Sequence, residues 1–103
     1  MHENGACGVY IMTDPTHNVL YVGMSTDLPA RINVHREKIV AGFTKRYNCI
    51  KLVYFESQPD KDSAYLRERQ IKGWSRNKKT DLIYSRNPDW VDLFEELINS
   101  VVT

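Results

Sequence analysis

The sequence predicts an α+β sandwich with a small sheet at its centre. Two short runs rich in β-branched and aromatic residues, separated by turn chemistry, read as a hairpin. A third such run lies near mid-chain, and apolar residues recur at helical spacing around it.

The hairpin strands are residues 8–13 (Gly-Val-Tyr-Ile-Met-Thr) and 19–23 (Val-Leu-Tyr-Val-Gly), with Asp14-Pro15 and His17-Asn18 turning the chain between them. A four-residue loop, 14–17, sets Thr13 opposite Asn18 and Tyr10 directly across from Tyr21. A five-residue loop sets the two phenols on opposite faces, because strand side chains alternate. The first helix starts near Ser25-Thr26-Asp27, which offer capping oxygens, and tolerates Pro29 in its first turn. Leu28, Ile32, His35 and Ile39 form its apolar stripe, and Gly42 marks its stop. A linker rich in Lys, Arg and Tyr, 43–48, leads to the third strand, 50–56.

After a loop at 57–61, a second helix is expected from Asp62 or Ser63 to about Asn77. The last helix takes Asn87 as N-cap and Pro88 at its first position. Trp90, Leu93, Phe94, Leu97, Ile98 and Val101 form its single apolar stripe.

At 103 residues the chain is expected to be one domain, 1–103, with a core over about 7–97. No apolar run reaches the length of a membrane span and Met1 to Ala6 lack signal-peptide character, so the default location is cytoplasmic. Cys7 and Cys49 are too few for a disulfide framework and lack metal-site spacing; they read as buried thiols. A Gly-rich phosphate loop and a nucleophile-elbow serine are both missing.

A net charge of +1 conceals a strong asymmetry. All 14 Lys and Arg lie between Arg31 and Arg86, against six acids, so that segment carries +8 while the flanks carry −7. Any single lysine there reads as a solvated helix face, but the segment as a whole favours an anionic partner.

Several residues suit chemistry on such a partner. Arg31 and His35, at i and i+4, share a helix face, and a guanidinium matches phosphate geometry. Taken alone, Tyr10 and Tyr21 read as packing residues, and His35 as a core histidine. Glu68 follows Ala64 by four and precedes Ile71 by three, which sets its carboxylate on an inward stripe. Burying it there is costly without a compensating cation. Either Arg67 or Arg69 supplies that cation as an ion pair, or a hard divalent ion does. On the second reading Arg67, Arg69, Lys72, Arg76, Lys78 and Lys79 form a phosphate-facing rim.

As a set, these residues resemble one family. Gly8-Val9-Tyr10 and Tyr21-Val22-Gly23 resemble the signature triplets of GIY-YIG nucleases, with Val for Ile in each. Leu28-x-x-Arg31-x-x-x-His35 is similar to that family's helix motif, and Glu68-x-x-Ile71-Lys72 to its metal-binding segment. Asn87-Pro88 falls where its late asparagine is expected. The stretches 42–48, Lys72-Gly73-Trp74 and Asn87-Pro88-Asp89-Trp90 look like the small stand-alone branch, related to the N-terminal nuclease domain of the excision-repair excinuclease.

The resemblance implies a small three-stranded antiparallel sheet flanked by helices and hydrolysis of a DNA phosphodiester with one divalent ion, Mg²⁺ or Mn²⁺. It implies Glu68 as metal ligand, Arg31 on the phosphate, Tyr10 or Tyr21 at the attacking water and His35 assisting. Gly23, Lys45, Tyr47, Lys72 and Asn87 are the implied substrate-side positions. The rival reading is a non-catalytic nucleic-acid-binding module or adaptor with the same fold. Such nucleases usually take specificity from a separate DNA-binding domain, so a delivery partner is a further expectation.

Overall fold

Strand β1 (Gly8–Thr13) is the middle strand of a three-stranded antiparallel sheet and is buried along its whole length. β2 (Leu20–Ser25) pairs on one side of it and β3 (Lys51–Ser57) on the other. The computed structural model describes residues 6–38 and 42–102, without the side chains of 101 and 102. Ile39, predicted for the first helix stripe, therefore lies outside the described residues, and so does the side chain of Val101, predicted for the last.

Alternation along β1 divides the core in two. Tyr10 and Met12 face one side, packed with Leu28, Ile32, Leu52, Phe55, Leu93 and Leu97. Val9 and Ile11 face the other, with Val22, Val53, Tyr54, Ala64, Ile71, Ile83 and Trp90. On β3 the consecutive residues Val53 and Tyr54 share one side. A register shift opposite Ile11/Met12 allows this, because a bulge inserts an extra residue and resets the alternation.

Helix α1 (Leu28–Arg36) covers the Tyr10 face. Asp27 caps it by accepting from the Ala30 amide, with Pro29 in the first turn as predicted. It ends before the expected stop: Lys38 is left-handed (φ 54°), and Gly42 instead opens a further short helix, α2 (Phe43–Arg46), from a φ of 141°. The predicted linker 43–48 thus holds a helical turn.

The expected second helix is two helices. α3 (Lys61–Lys72) is capped by Asp60 and ends at Gly73; α4 (Arg76–Arg86) restarts from its own cap, Ser75, which accepts from the Lys78 amide. Arg67 and Lys78 lie over the Trp74 ring, with their cationic groups 5.3 and 4.5 Å from its centroid, and so join the two helices through it. α3 lies on the Val9/Ile11 side, contributing Ala64 and Ile71 to that core.

The last helix, α5, spans only Phe94–Val102. Asn87 is not its N-cap, and Pro88 does not begin it. The Asn87 side chain donates to the Val53 and Val91 carbonyls and accepts from the Val91 amide. It ties the end of α4 to β3 and to the following turn. Nor do the predicted residues form one stripe: Trp90, left-handed at φ 55°, packs on the α3 side, while Leu93 and Leu97 pack on the α1 side. Cys7 and Cys49 are free, buried thiols in opposite halves of the core. Among the described residues no helix is long and apolar enough to cross a membrane.

Asn87 invites a direct test. Asn87→Ala leaves two carbonyls and an amide without their partner in a largely buried place, at about 1–3 kcal/mol for an unsatisfied buried group. A denaturant midpoint unchanged from the parent would show that this clip is dispensable.

Candidate functional site

The hairpin loop sets the geometry of the site. It spans six residues rather than four, because Asp14 organises it: its carboxylate accepts from the Asn18 and Val19 amides at 2.8 Å each and from the Thr16 hydroxyl. Burial pushes this carboxyl up, but those bonds outweigh it and hold the pKa down at about 2. Tyr10 consequently pairs with Gly23, and Tyr21 with Met12. The register is shifted by two residues from the four-residue expectation. An even shift preserves the face, so both phenols still project to the α1 side. Their ring centroids are 6.2 Å apart.

Gly23 makes that arrangement possible. A Cβ there would lie 2.4 Å from the Tyr10 hydroxyl oxygen, so the Tyr10 ring fills the space a side chain would need.

α1 brings Arg31 and His35 to the same place. The Tyr10 hydroxyl and His35 Nε2 are 2.7 Å apart, and His35 Nδ1 is 2.7 Å from the Thr44 hydroxyl on α2. The Tyr21 ring meets His35 edge-on at 5.3 Å and Phe43 at 5.9 Å. The Tyr10 phenol, and less strongly that of Tyr21, raises the Arg31 pKa against the opposing effect of burial. Tyr21, Arg31, Val34, His35, Gly42, Phe43 and Thr44 line a cleft of about 170 Å³.

The two tyrosines differ in access. Tyr21 lines the cleft and is partly exposed; Tyr10 is fully buried, 0% exposed. Burial drives the Tyr10 phenol well above its ordinary pKa, reinforced by Tyr21 and only partly opposed by Arg31. Burial, with the Arg31 charge adding to it, pulls His35 down to about 4, so the imidazole is neutral at pH 7.

Glu68 is not among the residues that line this cleft. Its helix covers the other sheet side, and its carboxylate pairs with Lys72 at 3.3 Å in a shallow depression shared with Arg69 and Gly73. The side chain is 15% exposed, in keeping with the inward placement expected of it. Neither arginine proposed as its partner takes that role: Arg67 pairs with Glu56 and Arg69 bonds Tyr65. Among the described residues no three His, Cys, Asp or Glu side chains converge on a metal site. A hard divalent ion commonly takes one or two protein carboxylates and completes its shell with phosphate oxygens and water. One shielded carboxylate fits an ion held jointly with a phosphate substrate.

The basic rim is smaller than predicted. Arg76 donates to the His17 and Asn18 carbonyls and pins the hairpin loop, Arg67 serves Glu56, and Lys78 lies over Trp74. Lys45 and Tyr47 are exposed on and beside α2, near the cleft, with the Arg46 guanidinium over the Tyr47 ring. Asn87 is buried against β3, and its side chain makes the bonds to Val53 and Val91 described above. Sequence reasoning missed Phe43 and Thr44. Both fall in a stretch read as a linker, and nothing in the spacing marks Thr44 as a partner of a histidine nine residues before it.

Comparison with known proteins agrees with this architecture. Residues 6–81 match the family model described as the GIY-YIG catalytic domain. A UPF0213 protein of Clostridium perfringens is 40% identical over 68 residues, 66% of this chain and 73% of that protein. One from Haloquadratum walsbyi is 34% identical over 74 residues, 72% of this chain and 82% of its own. The solution NMR structure of a UPF0213 protein from Bacillus halodurans is similar at a TM-score of 0.54 and 28% identity, covering 84% of this chain and 90% of that one.

Proposed function

The chain belongs to the GIY-YIG family, which is of the nuclease type, and on that premise we propose that it is a metal-dependent endonuclease hydrolysing phosphodiester bonds in DNA. The observation that carries the reading is the convergence of Tyr21, Arg31 and His35 on one cleft, with Tyr10 behind them.

Each residue takes a role from its surroundings. Arg31, exposed at its outer end, binds a non-bridging phosphate oxygen and opposes charge building there. Tyr21, which lines the cleft, orients the attacking water; buried Tyr10 cannot meet it and instead holds His35 in place. Neutral His35 keeps one ring nitrogen free to accept a proton from the phenol pair. Glu68, with phosphate oxygens, would hold the Mg²⁺ or Mn²⁺, which when bound supplies Lewis-acid charge stabilisation. Lys45 and Lys72 carry further phosphate contacts.

The test is a panel of labelled DNA structures incubated with Mg²⁺, Mn²⁺ or a chelator. Divalent-dependent cutting, lost in Arg31→Ala, is expected. Binding without cutting in either metal would instead establish the non-catalytic module. Binding itself should weaken steeply with salt, since each neutralised phosphate releases counterion. Charge reversal at Lys45 and Arg46 should flatten that slope. Affinity independent of salt would point away from nucleic acid altogether.

A further inference from the structure

We propose that Thr44 is the positioning residue of this site: it fixes the tautomer of His35 so that Nε2 accepts the Tyr10 hydroxyl proton. The geometry of the assignment stands on the fold; its consequence for catalysis rests on the nuclease reading.

Donors and acceptors fix the direction of this chain of bonds. Tyr10 is fully buried, so its O–H has to find an acceptor inside the protein. The imidazole nitrogen 2.7 Å away is that acceptor. A neutral imidazole has one donor and one acceptor nitrogen. With Nε2 accepting from Tyr10, the ring proton sits on Nδ1 and is donated to the Thr44 hydroxyl oxygen at 2.7 Å. Thr44 is 7% exposed, so water does not readily replace it.

The backbone holds that oxygen still. Thr44 lies in the first turn of α2, its own carbonyl accepts from the Cys49 amide at 2.8 Å, and the Phe43 carbonyl accepts from Tyr47 at 2.9 Å. Without an acceptor at Nδ1, the ring proton is free to sit on Nε2, which then turns a donor toward Tyr10. The phenol would then accept that bond, and its own buried O–H would be left without an acceptor. The path from Tyr10 through His35 to Thr44 runs in one direction only while Thr44 accepts at its far end.

The experiment reads imidazole ¹⁵N shifts and ring couplings at neutral pH in the intact protein. In the parent, His35 should show a protonated Nδ1 and an unprotonated Nε2. Thr44→Val should give a mixed or inverted tautomer, and Thr44→Ser should restore the parent pattern. Should the valine variant not fold, Thr44→Ala carries the same readout. On the cleavage side, the valine or alanine variant should lose on the order of 100-fold in kcat, the lower end of what positioned proton transfer supplies, with KM little changed. A parent tautomer retained without the hydroxyl overturns the proposal. So does an altered tautomer with undiminished kcat. If the parent itself does not cut DNA, the nuclease reading fails and the spectra still decide whether Thr44 sets the ring.

Discussion

Replacing Glu68 by glutamine is expected to abolish divalent-dependent cleavage while leaving the fold almost as stable as before. The carboxylate's only ion-pair partner among the described residues is Lys72, one turn along the same helix and half exposed. Helical pairs of this kind contribute about 0.3–0.5 kcal/mol, so the unfolding midpoint should hardly move. Metal-supplied charge stabilisation is worth several kcal/mol in the transition state, so cutting should fall on the order of 10³-fold. Binding to DNA should persist at low salt, since removing a negative charge does not weaken attraction to phosphate. Thermal unfolding, binding and cleavage are to be measured on one preparation. A variant that cuts like the parent, or that unfolds early, would remove Glu68 from the metal site.

The same residue shows how sequence and structure divide the inference. Helical spacing from Ala64 and Ile71 is enough to turn Glu68 toward the sheet, because an α-helix repeats about every 3.6 residues. Spacing does not say which arginine is free to meet it. Arg67 is drawn to Glu56, eleven residues away on β3, a contact that exists only after α3 docks on the sheet.

The hairpin behaved similarly. Strand identity follows from β-branched and aromatic residues, but the turn residues leave both a four- and a five-residue loop open. The register depends on Asp14 reaching forward to Val19, a side-chain bond that lengthens the loop by two. Helix α4 escaped notice for a compositional reason: in Arg76–Arg86 only Ile83 is fully buried, so no apolar stripe exists to be read. Asn87-Pro88 has the composition of a helix start, but β3 competes for the asparagine amide and wins it. The partners of Arg67 and Asn87 lie 11 and 34 residues away, beyond what local spacing reveals, whereas the loop register and α4 turn on a short-range side-chain bond and on composition.

The glycines of the two signature triplets should respond unequally to an added methyl group. In Gly8→Ala the new Cβ would sit 2.1 Å from the Glu56 carbonyl oxygen and 3.1 Å from Leu28 Cδ1. The first of these is backbone of the paired strand, which cannot yield without parting β1 from β3. Overpacking in a tight core costs about 1–3 kcal/mol and occasionally more, and Gly8→Ala should fall at or beyond the upper end. In Gly23→Ala the clash is instead with a side chain, the Tyr10 ring, at 2.4 Å to its oxygen and 2.5 Å to Cζ. That ring is fully buried and hydrogen-bonded to His35, so it moves only by breaking the bond. Gly23→Ala should therefore cost about 1–3 kcal/mol and disrupt the Tyr10–His35 contact along with cleavage. A double-mutant cycle isolates the cause. In a Tyr10→Leu background the shorter side chain leaves room for the methyl group, so Gly23→Ala should become nearly neutral while Gly8→Ala stays severe. Denaturant unfolding of the single and double variants measures this. Equal costs for Gly23→Ala in both backgrounds would mean that the second signature glycine serves the backbone rather than the tyrosine packed over it.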